Sequence, residues 1–275
     1  MSSVREPAVA GLFYPDLKAV LEREVGELLL RAKSSRVEGP IRGLICPHAG
    51  YVYSGYTAAV GYRLLKGHPY DAVVVVGPSH REYFDGISVY PGDSYRTPLG
   101  DIPIDTDLRK RLTELNPIIT LSDAGHQLEH SIEVQLPFLQ QVLGKCPLAP
   151  VVMGDQRREY CAILAQAIAE ACKGRNVLLI ASSDLSHYHP YAEAVRLDRE
   201  VIDEITEFRP DRLLEKLDQE QAEACGGGPI AAVMMAAASL GARKCKELFY
   251  CNSGDVTGDK ETVVGYLSAA LIQEP

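Results

Sequence analysis

Three histidines stand at or just past the ends of three separate apolar runs. Ile41-Arg42-Gly43-Leu44-Ile45-Cys46 runs into Pro47-His48-Ala49-Gly50. Ala72-Val73-Val74-Val75-Val76 runs into Gly77-Pro78-Ser79-His80, and Val177-Leu178-Leu179-Ile180-Ala181 into Ser182-Ser183-Asp184-Leu185-Ser186-His187. Short β-branched runs closed by Gly, Pro or Ser read as buried parallel strands. In open α/β sheets, ligands bind beyond the carboxyl ends of the strands. A lone histidine at such a place is usually structural; three of them, each in a Gly/Pro/Ser-rich turn, point to one shared pocket.

A thiol joins them in Cys225-Gly226-Gly227-Gly228-Pro229-Ile230. Proline in a first turn with glycines before it fits a helix start. A cysteine there meets the positive end of the helix dipole, which lowers its pKa and favours thiolate. The glycines let the backbone approach a ligand closely, or else only make a tight loop with Cys225 as filler. Two imidazoles and a thiolate from His48, His80 and Cys225 make a site for a first-row transition metal with open positions. On the neighbouring strand end, His187 suits a general base or acid, and Asp184 suits orienting a histidine or accepting a substrate proton.

His126-Gln127-Leu128-Glu129-His130 matches the inverted zinc-protease spacing H-x-x-E-H. Gly125 stands directly before it, so His126 falls ahead of the helix, and no further Glu cluster follows at helical spacing. Glu129, His130 and Glu133 are expected instead to project from the first turns of a helix toward the same cleft. Tyr14, Tyr51, Tyr53, Tyr56 and Tyr62 are candidates to line an aromatic pocket near His48, with Tyr53, Glu129 and His130 as pocket residues. Asp255 to Asp259 lacks the glycine and the final Glu of a calcium loop. Gly226–Gly228 is not a dinucleotide fingerprint, and neither a P-loop nor a serine nucleophile elbow occurs.

The elements that must position these groups follow from periodicity. Residues 16–33 carry an amphipathic helical pattern, and 56–65 a short helix. Strands are expected at 86–90 and, as an edge because of Pro103, at 102–104, with a turn-rich loop over 95–101. Helices are expected at 106–115, 129–143, 157–173, 190–207, 210–217 and 229–240. Strands are expected at 148–152, 177–182, 248–252 and 262–270. The alternation implies a single α/β/α layered domain over 1–275 with a mixed, largely parallel sheet.

The chain has 275 residues, 46% hydrophobic and 24% charged, with a formal net charge of -9. That charge, with no basic cluster, argues against nucleic acid and against an anionic membrane surface. No apolar stretch is long enough to span a bilayer, and the first residues lack a signal-peptide core. Seven cysteines with no CxxC pair favour free thiols and a cytoplasmic location. Cys161 and Cys172 lie in or beside a helical run and read as core filler.

Taken in order along the chain, several segments resemble the Memo family, whose prokaryotic members are called AmmeMemoRadiSam system protein B. They are 5–15 (Arg-Glu-Pro-Ala-Val-Ala-Gly-Leu-Phe-Tyr-Pro), 47–55, 77–80, 129–133, 182–188, Cys225-Gly226 and Ser253-Gly254-Asp255. The family fold is similar to that of class III extradiol dioxygenases, which hold nonhaem iron with two His and one Glu. The resemblance places the two histidines on His48 and His80, the Glu position on Cys225 and the catalytic base on His187. A thiolate in place of Glu changes metal preference and redox potential, so the expectation is an iron (Fe2+) redox enzyme, with copper or zinc as alternatives, rather than a ring-cleaving one. The resemblance also implies AMMECR1-like and radical-SAM proteins as partners, with a small molecule or modified peptide as substrate. The alternative is a non-catalytic module that captures phosphotyrosine or another anionic peptide in the same pocket, where strand- and helix-end groups suit an anion.

Overall fold

The computed structural model describes residues 3–33 and 35–274. Its centre is a nine-stranded mixed sheet. Four parallel strands form the middle, in the order Ile41–Cys46, Val177–Ser182, Ala72–Pro78 and Leu148–Met153. Every residue of the last three is buried, which is why they read as continuous apolar runs. Beyond Ile41–Cys46, Val263–Gln273 runs antiparallel, and it also pairs antiparallel with Ala242–Asn252 and with the short His187–His189. At the opposite flank Ile87–Val89 is antiparallel to Leu148–Met153 and parallel to Ile119–Leu121.

Helices cover both faces. Val73 and Val75 point into one core with helices Lys18–Arg31, Tyr51–Arg63 and Leu136–Leu143. Ala72, Val74 and Val76 point into the other, with Thr106–Leu115, Arg158–Ala171, Tyr191–Thr206, Pro210–Asp218 and Gly227–Ser239. The period-two alternation of a strand thus divides one apolar run between two cores. Among the described residues no helix is long and apolar enough to cross a membrane.

Three expectations change. The helix expected at 56–65 begins at Tyr51, where the Tyr51 N–H is held by the Phe13 carbonyl at 2.8 Å. The loop expected at 95–101 is a hairpin, Ser94–Thr97 against Gly100–Pro103, in a separate small sheet with Val4–Arg5. The helix expected over 129–143 starts only with a 3-10 turn at Glu133–Gln135 and is α-helical from Leu136 to Leu143.

Candidate metal centre

Parallel neighbours share a direction, so the four central strands end on the same side of the sheet. His48 follows the first, Asp184 and His187 the second, His80 the third and Gln156 the fourth. The loop ahead of helix Gly227–Ser239 brings Cys225 to the same place. One donor atom each from His48, His80 and Cys225 lies within 4.8 Å of the other two. His48 Nε2 is 3.2 Å from Cys225 Sγ, and the His48 and His80 ring centroids are 5.0 Å apart. Bonds of about 2.0–2.3 Å to a tetrahedral ion place its donors roughly 3.5 Å apart, so the first pair already stands near ligand spacing.

The hydrogen bonds behind the rings decide which nitrogen is bare. His48 Nδ1 is 2.9 Å from Ser182 Oγ. That hydroxyl donates its single proton to the Ser131 carbonyl and accepts from the Gln135 amide, whose oxygen takes the Tyr62 hydroxyl proton. Only a lone pair remains for His48, so His48 is the Nδ1–H tautomer and its Nε2 faces Cys225 unprotonated. Burial, then the neighbouring histidines, hold its pKa well below the ordinary value.

His80 Nδ1 lies 2.9 Å from Glu129 Oε1. The same carboxylate accepts from the backbone N–H groups of His80, His130 and Ser131. Burial pushes the Glu129 pKa up, but the His80 bonds and charges outweigh it and hold it down at about 2. An ionised Glu129 makes His80 Nδ1 a donor and leaves Nε2 bare, the carboxylate–histidine arrangement that orients metal ligands. His80, Glu129 and His130 also offer donors within 4.8 Å of one another. Four donors already engage Glu129, so that trio is a support for the first site rather than a second one.

His130 stacks on His80 at 4.9 Å and packs against Phe13 at 4.8 Å. Burial lowers its pKa to about 4, and its Nδ1, 3.3 Å from Glu129 Oε1, has no hydrogen-bond partner among the described residues. His187 donates from Nδ1 to the Leu185 carbonyl at 2.8 Å and is close enough for its charge to bear on His48 and Asp184. Tyr188, next to it, has φ +61° and is exposed, a backbone cost that tends to collect at functional sites. Asp184 orients the His48 backbone rather than a histidine ring: its Oδ1 accepts the His48 N–H at 2.8 Å. Burial pushes its pKa up to about 6.

Several expectations need correction. Burial pushes the Cys225 thiol well above its ordinary range, where the helix start was expected to lower it. A helix terminus contributes at most about 2 kcal/mol, whereas desolvation reaches several pKa units, so burial outweighs the helix start. The glycines answer to packing, not to a ligand. A Cβ on Gly226 would stand 2.4 Å from the Ser182 carbonyl oxygen, one on Gly227 2.3 Å from Leu217, and one on Gly228 2.7 Å from Gln156. Glu133 does not face the cleft, since it bonds Arg5, Tyr14 and the N–H groups of Ala8 and Val9. His126 is buried away from the cleft against Tyr95 and Ser88. The tyrosines disperse likewise: Tyr14, Tyr51 and Tyr62 are buried in the core, and Tyr53 lies on the surface in a groove with Tyr188 and Tyr266.

Sequence reasoning missed Ser182, Gln135 and Gln156. Gln156 grips the Cys225 loop at both ends, donating to the Cys225 carbonyl and accepting from the Gly228 N–H, each at 2.8 Å. Ser182 and Gln156 had one legible signal, their place at the ends of parallel strands.

A profile of Memo-like proteins matches residues 5–270. A MEMO1 family protein of Methanosarcina mazei is 41% identical, covering 98% of this chain and 99% of that protein. The MEMO1 family protein MJ0403 of Methanocaldococcus jannaschii is also 41% identical, covering 98% and 100%. The crystal structure of the uncharacterized protein JW3007 from Escherichia coli K12 superposes with a TM-score of 0.62 at 19% identity, covering 84% of this chain and 100% of that one. That last likeness is one of fold alone.

Proposed function

The chain belongs to the Memo-like protein family, and from that premise we propose that it is a metal-dependent redox enzyme. The ion, iron before copper or zinc, is held by His48 Nε2, His80 Nε2 and Cys225 Sγ. The substrate is a small molecule or a modified residue. The reading rests on one observation: three donors of metal-ligating type meet within 4.8 Å, and both imidazole N–H groups are turned away from the meeting point. Bound iron supplies Lewis-acid and one-electron chemistry at the positions that three protein ligands leave open.

The chain's own residues do the rest. Asp184 holds the His48 backbone, and Glu129 keeps the His80 proton on Nδ1. His187, with Nδ1 committed to the Leu185 carbonyl, has Nε2 available to accept or return a substrate proton. Capture of an anionic peptide fits less well, because an anion is held by N–H donors and His48 and His80 commit theirs to Ser182 and Glu129. Elemental analysis of protein purified without oxygen tests the proposal. Wild type should carry about one ion per chain and His48→Ala far less, because few bonds share the binding energy. Equal content in both would end the assignment.

A further inference from the structure

Arg5 is fully buried, and a buried guanidinium needs acceptors for its fork of donors. Among the described residues, its hydrogen-bond acceptors all come from one distant stretch. Nε donates to the His126 carbonyl at 3.0 Å, one terminal nitrogen to the Glu129 carbonyl and the other to the Glu133 carboxylate. The guanidinium carbon also lies 5.1 Å from the centre of the Tyr95 ring. Glu133 in turn binds the N–H groups of Ala8 and Val9 and the Tyr14 hydroxyl, so the N-terminal segment is tied to this stretch at several points.

Residues 126–132 form neither helix nor strand, and they follow Gly125 at φ +71°. Buried carbonyls there have no ladder to satisfy them, and Arg5 satisfies two. One belongs to Glu129, whose carboxylate meets the His80 ring at 2.9 Å. We infer that Arg5 is a positioning residue for the metal centre: by fixing the Glu129 backbone it fixes the carboxylate that holds the His80 proton on Nδ1. The His80 tautomer depends on a residue 75 positions earlier in the chain. A purely structural Arg5, present only to neutralise Glu133, would affect stability and leave His80 unchanged.

The inference rests on the metal reading for one of its two readouts. Arg5→Lys keeps a charge beside Glu133 and loses the fork. In the metal-free variant, with the fold checked by circular dichroism, nitrogen NMR should find His80 no longer held as the Nδ1–H tautomer. Co2+ titration should show affinity reduced about tenfold, the low end for loss of an outer-shell partner. Glu129→Gln should act in the same direction, and the double variant should lose little more than Glu129→Gln alone, since the two act through one contact. Arg5→Lys that keeps the His80 tautomer and binds Co2+ within about twofold of wild type would overturn the inference. Wild type that binds no Co2+ would instead remove the metal reading, and the tautomer measurement would still judge Arg5. If Arg5→Lys does not fold, amide exchange in wild type decides. The N–H groups of Ala8 and Val9 should open together with those of His130 and Ser131 as one unit. Ala8 and Val9 exchanging far faster would show that the N-terminal segment releases without disturbing Glu129.

Discussion

Removing the Ser182 hydroxyl leaves the His48 Nδ1 proton without its acceptor in a fully buried place. Ser182→Ala therefore frees His48 to move its proton to Nε2, where a metal must bind. We expect a folded protein with metal affinity lowered about 10- to 100-fold, read by competition with a chelating dye. Unchanged affinity would mean that Ser182 does not set the tautomer. At this scale the sequence exposed the groups with unusual chemistry but not those that orient them. The meeting of His48, His80 and Cys225 was legible because imidazole and thiol at strand or helix ends have few ordinary uses. Arg5 was not: a charged residue near a terminus reads as solvated, and its partners lie more than 120 positions away. The Cys225 thiol was misread in sign because a local feature, the helix start, is visible in sequence and burial is not.

The strands Ala72–Pro78 and Val177–Ser182 were legible because burial on both faces writes a continuous buried run, and Ile41–Cys46 because its run is broken only by the half-buried Arg42. Ser94–Thr97 was not, and Gly100–Pro103 only in part as the edge strand expected at 102–104, since their third strand is Val4–Arg5 and nothing local encodes a pairing across about ninety residues. The 129–143 segment shows a subtler limit. Leu136, Leu139 and Leu143 carry a helical spacing that says where a helix runs but not where it starts. Residues 126–132 are kept out of it by bonds from Arg5 to the His126 and Glu129 carbonyls and from the His130 and Ser131 N–H groups to the Glu129 side chain. That irregularity is what delivers Glu129 to His80.

The molecule buries several neutral imidazoles, and this sets its behaviour in acid. Burial lowers the His126 pKa to about 3 and that of His130 to about 4, against about 6.5 in an unfolded chain. A depressed folded pKa means that the stabilisation is fully present above pH 6.5 and is lost as pH falls toward 3 to 4, because only the unfolded chain takes up the proton. His126, away from the cleft, should alone cost the metal-free protein about 2 kcal/mol between pH 7 and pH 5. Urea unfolding at the two pH values should show this, and His126→Gln should lower the pH slope by about one proton. An unaltered slope would mean that His126 is protonated in the fold. The central claim is that His48, His80 and Cys225 hold one metal ion together, and Co2+ titration followed by absorbance tests it most directly. Wild type should bind with an intense near-ultraviolet thiolate band, which Cys225→Ser should lose along with affinity. Wild type that takes up Co2+ with no thiolate band, or a Cys225→Ser variant with an identical spectrum, would contradict the claim.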